Sequence, residues 1–300
     1  MSTIENPTGA TAAAPPLPAT LRLGPVHLTV SDLDRSIRFY ERSLGLRLQR
    51  RDGDTAAMGA GAEDLVVLVE EPAAAPAGRH AGLYHFALLF PTREELAHAV
   101  LRLAETRTHI EGASDHGVSE AIYLRDPDDN GIELYADRPH DAWPAPRAPG
   151  DRVEMYTVAL DMTSLLASVG AATPHPHAGP GLQLGHVHLH VADIERALAF
   201  YRDVLGFEVM ANLGSAAFVS AGGYHHHLGF NVWLGKDVAP RPDGTAGLRQ
   251  WVVVLERPEE VEAVRERVDA AGLPAEERDG GFLVRDPWAT AVVVATTPAA

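Results

Sequence analysis

A twenty-residue segment occurs twice in this chain, and any fold assigned to it must house both copies in the same way. Residues 27–46 read HLTVSDLDRSIRFYERSLGL and residues 188–207 read HLHVADIERALAFYRDVLGF. At a constant separation of 161 residues, His27 falls on His188, Asp32 on Asp193, Phe39-Tyr40 on Phe200-Tyr201 and Gly45 on Gly206. Each copy has the grammar of a short alternating strand, an Asp able to cap a helix, an amphipathic helix, and a Gly that ends it. In the first copy Leu33, Ile37, Tyr40 and Leu44 recur at helical spacing. Strands are expected afterwards around 65–69, 218–220 and 228–234, where Val, Leu and Phe are enriched between turn residues.

A second kind of module opens at Gly82 (GLYHFALLF) and at Gly247 (GLRQWVVVL). Each leads into a helix, expected over Glu94–Glu105 and Glu259–Ala271, and then into an RDP turn and a last strand. The chain thus reads as four strand–helix–three-strand units at about 21–72, 80–138, 183–235 and 246–297. This implies an α+β protein with a flexible tail over 1–20 and one domain of two units over 21–138. A linker over 139–182 and a second two-unit domain over 183–298 complete the expectation. Within the linker, 153–169 has the apolar content of a strand and a short helix packed on the outside.

Composition narrows the chemistry. An apolar content of 46% against 22% charged residues is that of a folded chain. A formal charge of -16 would repel a phosphate backbone, so nucleic acid is not an expected partner. With no cysteine, thiolate metal sites, disulfides and cysteine nucleophiles are excluded, and any metal must be held by nitrogen and oxygen. Fifteen histidines supply the nitrogen. No apolar run approaches the ~20 residues needed to cross a bilayer, and 1–20 lacks the basic start and apolar stretch of a secretory signal. A cytoplasmic protein without membrane contact is expected.

The duplicated HLxVxDxxRxxxFYxxxLG pattern, the RDP turns and Gly131-Ile132-Glu133 resemble the vicinal oxygen chelate superfamily of glyoxalases, bleomycin resistance proteins and extradiol dioxygenases. That resemblance implies four βαβββ modules paired into two cupped mixed β-sheet barrels. Within it, GLYHFALLF, DPDDNGIELYADRP, GHVHLHV and GGYHHHLGFNVW are similar to the bacterial catechol-2,3-dioxygenase type of extradiol enzyme. The implied activity is iron(II)-dependent extradiol cleavage of a catechol-like aromatic diol with O2, with manganese(II) as the other metal in view and a homo-oligomer as the expected assembly. A glyoxalase-like isomerase or lyase, or a non-catalytic binding protein, is the alternative. The isomerase would need a carboxylate in each half, and only Glu133 is evident.

The resemblance also implies a metal held by two histidines and one carboxylate on one face, leaving positions open for a bidentate diol and oxygen. His27 or His188 matches the first ligand, His85 the second and Glu133 the carboxylate; in the fourth unit Gln250 and Val293 stand where ligands would be. His226 matches the acid/base histidine, Tyr123 the tyrosine ten residues before the carboxylate, and His116 a further active-site histidine. Pairing units two and three completes every position with His85, Glu133 and His188, whereas pairing units one and two would use His27. Residue chemistry adds two points. Glu133 amid the apolar strand Ile132–Tyr135 would be costly without a cation or donor. His186, His188 and His190 alternate and so share one face, and among His225, His226 and His227 strand alternation would set His226 opposite the other two.

Overall fold

The computed structural model describes residues 15–76, 78–146 and 150–297. The first unit contains β1 (Arg22–Leu23), β2 (Val26–Val30), α1 (Leu33–Arg42), β3 (Arg47–Asp52), β4 (Thr55–Gly59) and β5 (Asp64–Glu70). The second has β6 (Gly82–Phe90), α2 (Arg93–Glu105), β7 (Gly112–Asp115), β8 (Ser119–Arg125) and β9 (Gly131–Asp137). After a single 3-10 turn at His140–Ala142, the connection forms β10 (Val158–Ala159) and α3 (Met162–Ala167). The third unit is β11 (Gln183–His190), α4 (Ile194–Tyr201), β12 (Glu208–Asn212), β13 (Ala216–Ser220) and β14 (Leu228–Asn231). The fourth is β15 (Gly247–Val254), α5 (Pro258–Ala270), β16 (Ala275–Arg278), β17 (Gly281–Arg285) and β18 (Ala291–Ala295).

Local chemistry explains why the two copies fold alike. Asp32 accepts from Arg35 N–H and Asp193 from Arg196 N–H, capping α1 and α4. Gly45 (φ 74°) and Gly206 (φ 96°) adopt the left-handed backbone that lets the chain leave each helix. The RDP turns are built on buried carboxylates. Asp126 accepts from the backbone N–H groups of Asp128 and Asn130, and Asp286 from those of Trp288 and Thr290. Each carboxylate also accepts from a tyrosine of the preceding unit, Tyr40 to Asp126 at 3.0 Å and Tyr201 to Asp286 at 2.9 Å. Consecutive units are thereby tied through hydrogen bonds buried in the core.

The sheets are assembled differently. One runs β10-β7-β8-β9-β6-β11-β14-β13-β12, joining the second unit to the third through the antiparallel pair β6 and β11. The other runs β16-β17-β18-β15-β2-β5-β4-β3, with β1 beside β15, joining the fourth unit to the first. Each sheet draws on both halves of the chain, so the divisions at 21–138 and 183–298 mark repeats in sequence and not sheets in space. One continuous apolar core spans both sheets and the helices, from Leu28 and Tyr40 through Phe86 and Leu134 to Phe230 and Trp251.

Two expectations need amending. Residues 1–14 lie outside the described residues, but the remainder of the expected tail is anchored: Leu17 is buried and its N–H donates to Gly206 O at 2.9 Å. The connection also does more than span a gap. Its β10 extends the edge of the second-and-third-unit sheet beside β7, and α3 packs on α2.

Candidate metal centre and cavity

The register of three strands creates the centre. Ala87 on β6 lies opposite His186 on β11 and also opposite Glu133 on β9. The methyl side chain of Ala87 leaves open space between its two row-mates, and His186 Nε2 reaches Glu133 Oε2 at 3.1 Å. His85, two residues away on β6 and on the same face, sets its Nε2 3.0 Å from the same oxygen, off the line of a hydrogen bond. The ligand atoms of these three buried residues lie within 4.8 Å of one another, the one such His/Glu/Asp group among the described residues.

The donor set fits a divalent cation of the kind held by nitrogen and oxygen. Burial favours raising the Glu133 carboxyl, but the facing His186 and His85 outweigh it and hold the group well below the usual carboxylate range. Burial lowers His186 despite the carboxylate beside it, leaving the imidazole neutral. Two imidazoles therefore converge on one ionised oxygen, and buried His85 Nε2 and His186 Nδ1 lack an aligned partner. A cation between these groups would satisfy their lone pairs and offset the cost of the buried charge.

This cluster differs from the expected set in one histidine. His188, rather than joining the cluster, lies opposite His85 in the register, with its Nε2 2.9 Å from Asn231 Nδ2. Gly229 makes room for its ring; a methyl group there would stand 3.0 Å from His188 Nδ1. His27 is on β2 in the other sheet, opposite Gln250, and has no place in the cluster. Alternation alone cannot choose among three histidines sharing one face. The choice is made by a register shift between Leu184 and His186, at Gly185, where the Tyr135 hydroxyl packs so close that a Cβ would clash. A glycine inside an otherwise regular strand was the available signal.

Above the centre lies a cavity of about 300 Å³. Its lining includes Tyr84, His116, Tyr123, His188, Phe218, His226 and Trp233, and from the connection Met155, Tyr156 and Thr157. The last three were not foreseen. Tyr156 O lies 2.9 Å from His116 Nδ1, and a carbonyl only accepts, so that nitrogen carries the proton. His116 Nε2 is then free to accept from the Tyr123 hydroxyl at 2.7 Å. Burial and the neighbouring Glu133 carboxylate push the Tyr123 phenol well above its ordinary range, so it keeps its proton.

His226 reaches the cavity from the segment before β14, its ring 4.1 Å from that of His186. Burial lowers it well below the ordinary histidine range. Residues 225–227 precede β14, so strand alternation does not govern them. His225 and His226 instead meet through their Nδ1 atoms at 2.8 Å, while His227 Nδ1 lies 2.9 Å from Ser220 Oγ.

Paired βαβββ units around one cluster of two histidines and a carboxylate define a vicinal oxygen chelate protein. Residues 22–134 and 183–292 match the Glyoxalase/Bleomycin resistance protein/Dioxygenase superfamily, and the chain belongs to that family. It is 44% identical over 276 residues to catechol-2,3-dioxygenase of Bacillus subtilis (strain 168), covering 90% of this chain and 95% of the relative. Among solved structures it is similar to glyoxalase I from Zea mays, with TM-score 0.58, 19% identity and 92% of each chain covered. It is also similar to the cppA protein of Streptococcus pneumoniae TIGR4, with TM-score 0.55, 13% identity and 91% and 98% coverage. These last two likenesses concern the fold. Among the described residues, no helix is long and apolar enough to cross a membrane.

Proposed function

We propose that the chain is an extradiol ring-cleaving dioxygenase, with iron(II) held by His85, Glu133 and His186 and a catechol-like diol as substrate. The observation that carries this reading is the buried cluster of one carboxylate and two imidazoles at the floor of a cavity sized for a single aromatic ring. The named relative supports the reaction class. A glyoxalase-type isomerase is disfavoured because the cluster contains one carboxylate.

Iron(II) at such a site supplies Lewis acidity toward a chelated diol and electrons for oxygen, with manganese(II) the other metal the donors suit. The protein's part is positional. Phe218, Tyr84 and Trp233 offer aromatic faces and edges for a ring. His226 is placed to take a diol proton and return it as the ring opens, and Tyr123, held by His116, directs a hydroxyl toward the same space. Among the described residues that line the pocket, Glu133 is the one Asp, Glu, Lys or Arg, so they offer no side-chain counter-ion to a ring carboxylate. The substrate is then a diol whose ring substituents are small and uncharged. A reducing cytoplasm is the compartment that suits ferrous iron.

Anaerobic loading with iron(II), followed by catechol and air, tests the proposal. Oxygen uptake together with a yellow ring-fission product is expected. Protein with verified stoichiometric iron that yields neither from catechol or its alkyl derivatives would overturn it.

A further inference from the structure

Behind His226 the structure contains a chain of groups that the reaction as described leaves unused. His225 is fully buried, with its Nδ1 2.8 Å from His226 Nδ1 and its Nε2 2.7 Å from Asp137 Oδ1. Asp137 ends β9, the strand that carries Glu133 four residues earlier, and its side chain is 25% exposed. The carboxylate and the cavity thus lie at opposite ends of a two-histidine chain. Packing holds it in place: His225 is flanked by the rings of Tyr224 at 4.1 Å and Trp143 at 5.3 Å, and the adjacent Arg138 is turned away onto Asp115 at 2.6 Å.

The donors and acceptors in this chain can be assigned in order. A carboxylate only accepts, so the proton of His225 sits on Nε2. The 2.8 Å contact between the two Nδ1 atoms has room for one proton, and in a neutral pair of imidazoles with Nε2 of His225 occupied that proton belongs to His226. His226 then has its hydrogen on Nδ1, and its Nε2 keeps a lone pair in a residue that lines the cavity. We propose that Asp137 and His225 are positioning residues that lock His226 in the Nδ1-protonated tautomer, so that its Nε2 meets the substrate as a proton acceptor. This rests on the proposed reaction for its kinetic consequence but not for the tautomer itself.

Two measurements test it. Nitrogen-15 NMR of histidine-labelled protein, metal-free and loaded with diamagnetic zinc, is expected to show His226 protonated at Nδ1 and bare at Nε2. In Asp137→Asn the amide can donate to His225 Nε2, reversing the chain and moving the His226 proton to Nε2. In the iron-loaded variant kcat for catechol is expected to fall about 100-fold or more with KM within about twofold, as for loss of the correct tautomer in a carboxylate-oriented histidine. His226 found with its proton on Nε2 in the unmodified protein overturns the inference, whatever the activity. An Asp137→Asn protein with an unmoved tautomer also overturns it, since any loss of kcat would then be merely structural. If His226 is protonated at Nδ1 in a protein that cleaves no diol, the reaction assignment fails and the tautomer lock stands.

Discussion

The two sheets share one plan and opposite contents. In the sheet of the second and third units, Ala87 lies opposite Glu133, and His85 lies opposite His188. In the other, Val252 lies opposite Val293, and Gln250 opposite His27. Pro25 stands at the position equivalent to His186. Where the first sheet has a polar cluster under a cavity, the second has an apolar patch of Val252, Val254, Leu283, Ala291, Val293 and Ala295. The backbone therefore does not by itself make a centre. Register sets the rows, and the side chains placed in them decide between a metal pocket and a core.

The sharpest way to break this comparison is to exchange a matched pair of residues. Glu133→Ala should abolish stoichiometric metal binding and lower turnover by about 1,000-fold or more, since the imidazoles lose their anionic partner. Val293→Ala should leave metal content and turnover intact while costing about 2 kcal/mol in denaturant melts, the scale for hollowing an apolar core at a buried valine. Equal metal content in the two variants would refute the contrast.

A second contrast lies within β11. His186→Ala should reduce metal affinity about 100-fold or more by equilibrium dialysis. His188→Ala should retain the metal and act mainly through KM for the diol. Reversal of that order would restore His188 as the ligand.

A smaller and symmetric effect is expected where the sheets agree. Tyr40→Phe and Tyr201→Phe each remove a hydrogen bond to a buried carboxylate, and each should cost about 1–2 kcal/mol with turnover unchanged. Asp126, which burial pushes up to about 6 against its hydrogen bonds, would be driven higher in the first variant.

The mildest prediction concerns acid. His186, His188 and His226 have pKa values depressed by burial, so below the ordinary histidine value of about 6.5 the unfolded chain binds more protons than the folded one. Stability should be full above that pH and decline as the pH falls from about 6.5, before most carboxylates titrate. Thermal melts between pH 8 and 4 would show this, and bound metal should blunt the decline because it also competes for the neutral imidazoles. The valine-filled sheet contributes nothing comparable through its equivalent patch.

Much of this was legible in the chain because its signals are local. The cap residues Asp32 and Asp193, the terminating glycines, the RDP turns and the helix spans depend on neighbours a few residues away, and α1, α2 and α5 fall within a residue or two of expectation while α4 stops four residues short of Gly206. His85 and Glu133 were legible because an acid in an apolar strand and a histidine in its partner motif are chemically expensive unless used. His186 was not separable from His188 by period, since the distinction lies in a one-residue shift at Gly185 and in the row shared with Ala87, which depend on strands far apart in sequence. The contribution of Met155, Tyr156 and Thr157 was hidden for the same reason. Nothing in a Pro- and Ala-rich connection shows that it returns to wall a cavity.

The nested pairing of the units has a consequence for how the chain matures. Every strand of the sheet that carries the His85, Glu133 and His186 cluster lies between residues 82 and 231, whereas the other sheet must bring β2 against β15, more than 200 residues downstream. During synthesis the inner sheet can close while the last quarter of the chain is still emerging, and the first unit waits with an uncovered edge for its mate. Closure of the outer sheet thus comes last, and the edge it covers is the pairing of β2 with β15.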